Sequence, residues 1–366
     1  MTALPGYAPR RAHVPYWLIA ATLAAAFIAV MPIIAAIVTG TSAGTPTAFA
    51  SAPAGEYAVV VRSEEAFDVV FAAPAAGGDP VEVTRVPHLP GYGIKGQTSP
   101  DGRLVAVLVP DAGSAANPVT SLAVIDLESG ASVRLANAVD DALPPVWTRD
   151  GARVVFTRSA PSGSLSTVSV RSIPARGGDE REEFAATALG VYPFGVTPAG
   201  ALASVVIDAR GSTLVAGGRE VALLSSQITR DWKLSPDGSR VAYIETDLAN
   251  GLSYHARVFA LDGAGSATAQ ALSAQGQQLG VAWRPGTGEA VFGHEPSTNG
   301  GSASAQALTA AGFEVPLSYS AGGTGAVQAW SGSSFAEPGQ MQLTLVRDGQ
   351  RVALGAGMRF LGWSAR

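Results

Sequence analysis

Three aspartates stand where their spacing could support chemistry. They lie in Ser99-Pro100-Asp101-Gly102, Thr148-Arg149-Asp150-Gly151 and Ser235-Pro236-Asp237-Gly238. Two carboxylates facing each other about 5–10 Å apart can serve as acid and base, or acid and nucleophile, in glycoside hydrolysis. The same aspartates compete for a structural role. Proline sets φ for a tight turn, aspartate bonds back to nearby amides, and glycine takes the left-handed conformation. That role accounts for the proline and glycine beside each acid, so the turn is the favoured reading.

Other signatures are weaker. Gly91-Tyr92-Gly93-Ile94-Lys95-Gly96 matches G-x-G-x-x-G, but a dinucleotide site needs a strand before it and a helix after it. Here a turn and another strand are expected, which makes it an inter-strand loop. Gly40-Thr41-Ser42-Ala43-Gly44 matches G-x-S-x-G within a Gly- and Ser-rich stretch, where no strained strand-to-helix elbow is expected. His13, His88, His255 and His294 form no H-x-x-x-H or H-E-x-x-H pair, so zinc has no local nucleus. Solvated or core-satisfied histidines are expected instead. Asp140-Asp141 and Asp179-Glu180-Arg181-Glu182-Glu183 read as solvated loops, with a cation or basic partner as the alternative. No catalytic, cofactor or metal set assembles from these residues, and no cofactor is expected.

The turns recur every 40–50 residues or so, each ahead of an apolar run: Leu104-Val105-Ala106-Val107-Leu108, Val154-Val155-Phe156 and Val241-Ala242-Tyr243-Ile244. A tight turn followed by a buried strand at this period is the signature of a β-propeller blade. Worn copies follow at Thr197-Pro198-Ala199-Gly200, Pro285-Gly286-Thr287-Gly288 and Ser331-Gly332-Ser333. Aromatic residues precede the turns: Trp147, Phe194, Trp232, Trp283, Trp330 and Trp363. The domain opens at Tyr57-Ala58-Val59-Val60-Val61, which matches a strand after a turn. It ends at Phe360-Leu361-Gly362-Trp363-Ser364, which matches a strand before one. Pairing the two completes one blade and removes a free sheet edge. The expected fold is all-β: a seven-bladed β-propeller closed by its N- and C-terminal strands, or six-bladed if residues 290–333 form only one blade.

The Ser-Pro-Asp-Gly turns, the aromatic ahead of them and the Val-Ala-Tyr or Val-Val-Phe strand after them resemble the WD40-like propeller repeats of the TolB type. The resemblance covers three strong units and three or four degenerate ones across residues 56–366. It implies a propeller fold. Repeats of this type occur in periplasmic interaction modules and as appendages of peptidases. Nothing here matches the N-terminal domain of TolB, and no hydrolase domain follows the propeller, so neither the transport role nor peptidase activity is implied.

The chain has 366 residues, 24 basic and 29 acidic side chains, and no cysteine. Disulfides, thiolate nucleophiles and an N-terminal lipidated cysteine are thereby excluded. Only Arg10 and Arg11 are charged in the first fifty residues. The remainder holds 22 basic and 29 acidic groups, a net charge near −7 that repels nucleic acid. Lysine occurs only at Lys95 and Lys233.

Residues 14–38 form an almost unbroken apolar run. As a helix it would span about 36 Å, enough to cross a hydrocarbon core. Tyr16 and Trp17 suit the headgroup region, and Arg10 and Arg11 place the N-terminus in the cytoplasm. A single transmembrane helix at 14–38 is expected, with a cytoplasmic stub at 1–13, a flexible tether at 39–55 and an extracytoplasmic propeller at 56–366. Cleavage near Ala50, within Ala48-Phe49-Ala50, would instead give a secreted form. A twin-arginine signal at Arg10-Arg11 is disfavoured by the residues that follow it.

The expected function is a membrane-anchored module that binds a protein, a peptide or an envelope polymer, rather than an enzyme. Recognition would fall on loops, at residues 110–119, 159–166, 248–254 and 294–304. The alternative is a glycan-active envelope hydrolase or lyase with carboxylates meeting at the propeller channel.

Overall fold

The computed structural model of the chain describes residues 47–248, 253–261, 270–271, 277–294, 313–331 and 339–366. The recurring turn builds each blade. Ser99 N–H bonds the Leu104 carbonyl (2.8 Å), Gly102 N–H bonds the Ser99 carbonyl (2.8 Å), and Leu104 N–H bonds Ser99 Oγ (2.9 Å). The same bonds recur from Ser235 to Arg240, and from Thr148 to Arg153. Each turn reverses the chain into a strand buried on both faces. Val105, Ala106, Val107, Val154, Val241, Ala242 and Tyr243 are all inaccessible, as expected of strands sandwiched between neighbouring sheets.

The strands form small antiparallel sheets with meander order. The first blade runs from its inner strand Met358–Ala365 through Glu56–Ser63 and Phe67–Pro74 to Val81–Pro87. The second follows as Lys95–Thr98, Leu104–Ser114, Asn117–Asp126 and Ser132–Val139. The third, fourth and fifth begin at the inner strands Val146–Trp147, Gly190–Val196 and Ile228–Leu234. The last blade begins at Phe313–Tyr319. Between the fifth and last blades, Gln278–Trp283 pairs with Ala290–His294 in a sheet of two strands.

The all-β propeller is as expected, but the blade count is corrected. Among the described residues six sheets are complete four-stranded blades, not seven. The physical reason lies in the sequence after His294. Residues 295–312 are mostly Ser, Ala, Gly and Thr, with Leu308 their one large apolar side chain, and they lie outside the described residues. Trp330 is a second correction. It lies on Gly325–Trp330, the second strand of its blade, and Ser331 sits at the base of the next connection, where its N–H bonds the Gln340 carbonyl. The turn of that blade is Ser320-Ala321-Gly322-Gly323-Thr324, which lacks an aspartate. Glu56 fills the gap from the first blade, accepting from Ser320 Oγ (2.8 Å) and Gly322 N–H (2.6 Å).

The remaining aromatics lie on inner strands and join one blade to the next. Trp147 Nε1 donates to the Gln97 carbonyl (2.9 Å), and Trp283 Nε1 donates to the Lys233 carbonyl (3.0 Å). Trp232 stacks on Tyr192 at 5.3 Å. A Cβ on Gly362, beside Trp363, would strike Thr98 of the second blade. The inner strands therefore stand shoulder to shoulder around a central channel.

The ring closes as expected. Tyr57 pairs with Ser364, Ala58 with Trp363 and Val59 with Gly362. Residues 47–55, expected as the end of a flexible tether, instead form a strap over this closure. Ala48–Ser51 is a turn of 3₁₀ helix, and Phe49 is buried edge-on against Tyr57 at 5.1 Å. Thr47 Oγ1 bonds the Leu127 and Glu128 carbonyls of the second blade, while Arg366 Nη1 holds the Phe49 and Ala52 carbonyls at 2.8 Å. The expected membrane helix at 14–38 and the stub at 1–13 lie outside the described residues. Among the described residues no helix is long and apolar enough to cross a membrane.

Phe49→Ala removes a large side chain from this core and is expected to destabilise the protein by about 3 kcal/mol. Chemical denaturation of the full chain checks this, and an unchanged midpoint would show that the strap does not hold the closure.

Candidate functional site

The propeller has two unlike faces. One carries the Ser-Pro-Asp-Gly turns and the closure strap. The other carries the connections from second to third strands and from each outer strand to the next inner strand. The described parts of the loops expected to recognise a partner lie at this second face. Residues 110–119 form the projecting tip of the hairpin Leu104–Ser114/Asn117–Asp126, and 159–166 the tip of Arg153–Ser162/Leu165–Pro174. Residues 248–254 connect the second and third strands of the fifth blade, with 249–252 outside the described residues. The stretch 294–304 begins at the same end, and its side chains lie outside the described residues.

The turn aspartates do not converge on this face; each is held within its own turn. Asp101 Oδ1 accepts from Ser99 Oγ (2.5 Å) and Arg103 N–H (3.1 Å). Asp150 Oδ1 accepts from Thr148 Oγ1 (2.7 Å) and Ala152 N–H (3.0 Å). Asp237 accepts from Ser235 Oγ, Ser239 N–H and Ser239 Oγ at 2.5–3.0 Å. The hydrogen bond from Ser235, followed by those from Ser239, lowers the Asp237 pKa to about 2. Asp150 is lowered mainly by Thr148. Asp101 is lowered too: burial pulls upward, but the bonds from Ser99 and Arg103 outweigh it. Among the described residues every carboxyl with a displaced pKa is displaced downward, including Glu82, Glu180 and Asp208. A glycosidase acid needs the opposite displacement, so that it keeps a proton to donate.

The sequence reading missed one buried polar cluster. Asp68 is wholly inaccessible on the third strand of the first blade. Its Oδ2 accepts from Ile94 N–H and from Arg359 Nη2, both at 2.6 Å. Its Oδ1 lies 3.3 Å from His88 Nε2. Nδ1 of His88 lies 2.8 Å from the Leu89 carbonyl; a carbonyl only accepts, so Nδ1 carries the proton. Both imidazole nitrogens are thus turned inward, and Nε2 and Asp68 Oδ1 face each other as buried atoms without a hydrogen bond. Gly93 packs over Arg359; a Cβ there would lie 2.5 Å from its guanidinium. That contact, and not a phosphate, accounts for a glycine of the G-x-G-x-x-G match. The next element is the strand Lys95–Thr98, as the loop reading expected. A signal for Asp68 did exist in the sequence: it is a lone charge in Phe67-Asp68-Val69-Val70-Phe71, and a buried charge requires a partner.

The acidic runs are paired internally. Glu180 is held by Arg158 and by Arg171 (3.0 Å), Glu182 by Arg171 (3.3 Å), and Glu183 by Arg181 (2.7 Å). Asp140 accepts from Ser159 Oγ (2.7 Å). Among the described residues no three His, Asp or Glu side chains are grouped to hold a metal. His255 contacts Ser253 Oγ at 3.0 Å. His13, and the G-x-S-x-G match at 40–44, lie outside the described residues.

The exposed apolar side chains mark one face. Among the described residues the exposed large hydrophobics are Val119, Val133, Leu189, Val221, Leu223, Ile228 and Leu248. Val133, Val221 and Leu223 lie on outer strands. The other four all stand at the hairpin face: Val119 near a tip, Leu189 in an outer-to-inner connection, Ile228 at the start of an inner strand and Leu248 just past a second strand. None belongs to the turn face.

No protein-family model matches the sequence, and no curated protein matches it. Solved structures similar to the chain include TolB from Acinetobacter baumannii, at 14% identity and a TM-score of 0.49, covering 84% of this chain and 67% of that one. A candidate 6-phosphogluconolactonase from Bacteroides uniformis is 14% identical with a TM-score of 0.50, over 83% of this chain and 99% of that one. A dihydro-heme d1 dehydrogenase in complex with DHE is 16% identical with a TM-score of 0.50, over 82% of this chain and 64% of that one. Likeness at this identity concerns the fold alone.

Acid titration tests the structural role of the turn acids. A carboxyl whose folded pKa lies below its unfolded value stabilises the fold above the unfolded pKa, and that contribution disappears as pH falls through the folded one. The stability gap between the wild type and Asp237→Ala is therefore expected to shrink between about pH 4 and about pH 2. A gap that is constant across this range, followed by urea denaturation, would contradict the assignment. Asp68→Ala strands the Arg359 guanidinium and is expected to cost about 3 kcal/mol or more, with part of the loss recovered in Asp68→Ala/Arg359→Met.

Proposed function

We propose that the protein is a non-enzymatic recognition module whose hairpin face binds a protein or peptide partner outside the cytoplasm. The observation that supports this reading is the placement of Val119, Leu189, Ile228 and Leu248, four of the seven exposed large apolar side chains among the described residues, at one face. Val119, Leu189, Ile228 and Leu248 share the face that also bears the long hairpins. A polar surface interrupted by apolar residues on one face is what a partner's apolar anchors require. A rigid propeller under variable connections is the arrangement by which loops acquire recognition.

The apolar run at 14–38, preceded by Arg10 and Arg11, supports anchoring in the membrane with the propeller on the far side. Thr47 docks at the turn face, against Leu127 and Glu128. The burial of Phe49 also favours retention of residues 47–50 over cleavage after Ala50. The glycan-hydrolase alternative loses support from the downward displacement of the titrating carboxyls.

Affinity capture from solubilised membranes with the full chain tests the reading. Leu189→Ser and Ile228→Ser are expected to abolish retention of a partner that the wild type and Val221→Ser, on an outer strand, both hold. All variants should keep the wild-type thermal midpoint. Failure of the wild type to retain any partner above background, or equal loss in Val221→Ser, would overturn it.

A further inference from the structure

Asp68 and His88 leave one pair of buried atoms without hydrogen bonds. The donors to Asp68 all fall on one oxygen: Ile94 N–H and Arg359 Nη2 both reach Oδ2 at 2.6 Å. Oδ1 receives none, and its neighbour is His88 Nε2 at 3.3 Å, itself a buried atom with no hydrogen bond. The other ring nitrogen, Nδ1, donates to the Leu89 carbonyl at 2.8 Å. Each nitrogen of this imidazole therefore faces an oxygen, and an ionised carboxylate and a carbonyl can only accept. A neutral ring supplies one proton for two acceptors. Its second nitrogen then sets a lone pair against a buried carboxylate oxygen, which costs free energy on both sides. One more proton turns that repulsion into a charge-assisted attraction.

The pair stands where a proton can act on structure. His88 opens the connection 88–94, which leads from the outer strand of the first blade to the inner strand of the second. His88 N–H bonds the Ala66 carbonyl (3.0 Å), Leu89 N–H the Pro110 carbonyl (2.8 Å) and Gly91 N–H the Glu65 carbonyl (3.2 Å). Tyr92 Oη donates to the Ala115 carbonyl (2.6 Å), at the tip of the hairpin 110–119. Ile94 N–H, at the far end, is held by Asp68 itself. Asp68 and His88 thus fix both ends of a connection that supports a hairpin tip. The other charged groups of the surrounding elements are engaged elsewhere: Glu64 with Arg62 at 3.0 Å, Arg85 with Glu82 at 2.8 Å, Lys95 with Asp141, and Asp111 with Arg134. Glu65 is exposed. Among the described residues Arg359 is the other charge at the pair, and it binds Asp68 through Oδ2, which leaves Oδ1 to the histidine.

We propose that Asp68 Oδ1 and His88 Nε2 share one proton, and that this proton latches the connection 88–94 to the first blade as a pH-sensitive device beneath the hairpin face. The proposal rests on the recognition-module reading only for its consequence, a hairpin tip whose support changes with pH. The direction follows from proton counting. Unlatched and in water, the histidine gives up its proton above about pH 6.5, and the aspartate is ionised above about pH 4. The latched pair keeps the proton to higher pH, because releasing it leaves two buried acceptors face to face. The latched state therefore binds more protons, and its stability falls as pH rises. Its contribution is complete at about pH 6 and disappears as the pH passes the point at which the latched pair releases its proton. In between, each pH unit weakens the latch by a factor of about ten.

Hydrogen exchange of the full chain from about pH 6 to about pH 9 reads the latch with no partner present. Rates are divided by the intrinsic exchange rate at each pH, and a peptide spanning 88–96 is compared with one spanning the turn 235–240. The expected result is protection at 88–96 that falls about tenfold per pH unit over part of this range, while 235–240 stays level. The imidazole signal of His88, assigned by its disappearance in His88→Gln, should titrate in step with that loss. Asp68→Asn offers Nε2 an amide N–H in place of the proton, and His88→Gln removes the titrating ring. Both variants should give level profiles at 88–96, whatever their overall stability. A level wild-type profile, an equal slope at 235–240, or a slope that persists in both variants would overturn the proposal. Partner capture reports on the recognition reading separately, because exchange at 88–96 needs no partner.

Discussion

The pairing of Glu56–Ser63 with Met358–Ala365 joins the two ends of the propeller, and the remaining geometry depends on it. Without that ladder the first blade would lose its inner strand, and the second blade would lose the neighbour against which Gly362 and Thr98 pack. The closure is reinforced on both sides. Arg366 and Gly55 exchange backbone hydrogen bonds at 2.9 Å just beyond the ladder. Glu56, the first residue of its strand, completes the turn of the last blade. Phe49 and Thr47 carry the same lock across to the second blade. One short stretch thus ties three consecutive blades together, a local remedy for the entropy of bringing distant chain ends together.

Closure also separates the labour of the two faces. The turn face is occupied by structure: its aspartates are held by serines, threonines and backbone amides, and it receives the strap. The hairpin face is released from those duties. Its connections vary in length from the single residue Leu189 to the stretch 88–94, and it carries the exposed side chains of Val119, Leu189, Ile228 and Leu248. The channel joins the faces and is lined by the inner strands, of which Gln97 and Lys233 each give a carbonyl to an indole of the next sheet.

The sequence revealed the frame wherever the turn chemistry was intact. Ser99 to Gly102 and Ser235 to Gly238 announced their strands, and the unmatched segments at Tyr57 and Trp363 announced the closure. It misled where a blade solved the same problem by other means. The turn at Ser320 lacks an aspartate because Glu56 reaches it from another blade, a contact invisible to any local pattern. Trp330 resembles Trp147 and Trp283 in its place before a Ser- or Gly-containing segment, but it lies on the second strand of its blade and they lie on inner strands. The strap at residues 47–55 was hidden by its composition, since Ala, Ser and Pro resemble a linker until Phe49 finds a pocket. Of the candidate site, the hairpins were legible as loops. That they share a face follows from topology, which sequence spacing does not report.

The absence of cysteine permits a direct test of the closed ring. Arg62 stands opposite Met358 in the closing ladder, so Arg62→Cys/Met358→Cys introduces one pair at neighbouring positions in a chain with no competing thiol. Near-quantitative disulfide formation on mild oxidation, with a raised unfolding midpoint, is the expected result; a cross-link enclosing most of the propeller should add about 4 kcal/mol. Thiols that remain free under the same oxidation, in a protein that keeps its β-rich circular dichroism, would contradict closure by the terminal strands, and with it the two faces and the channel.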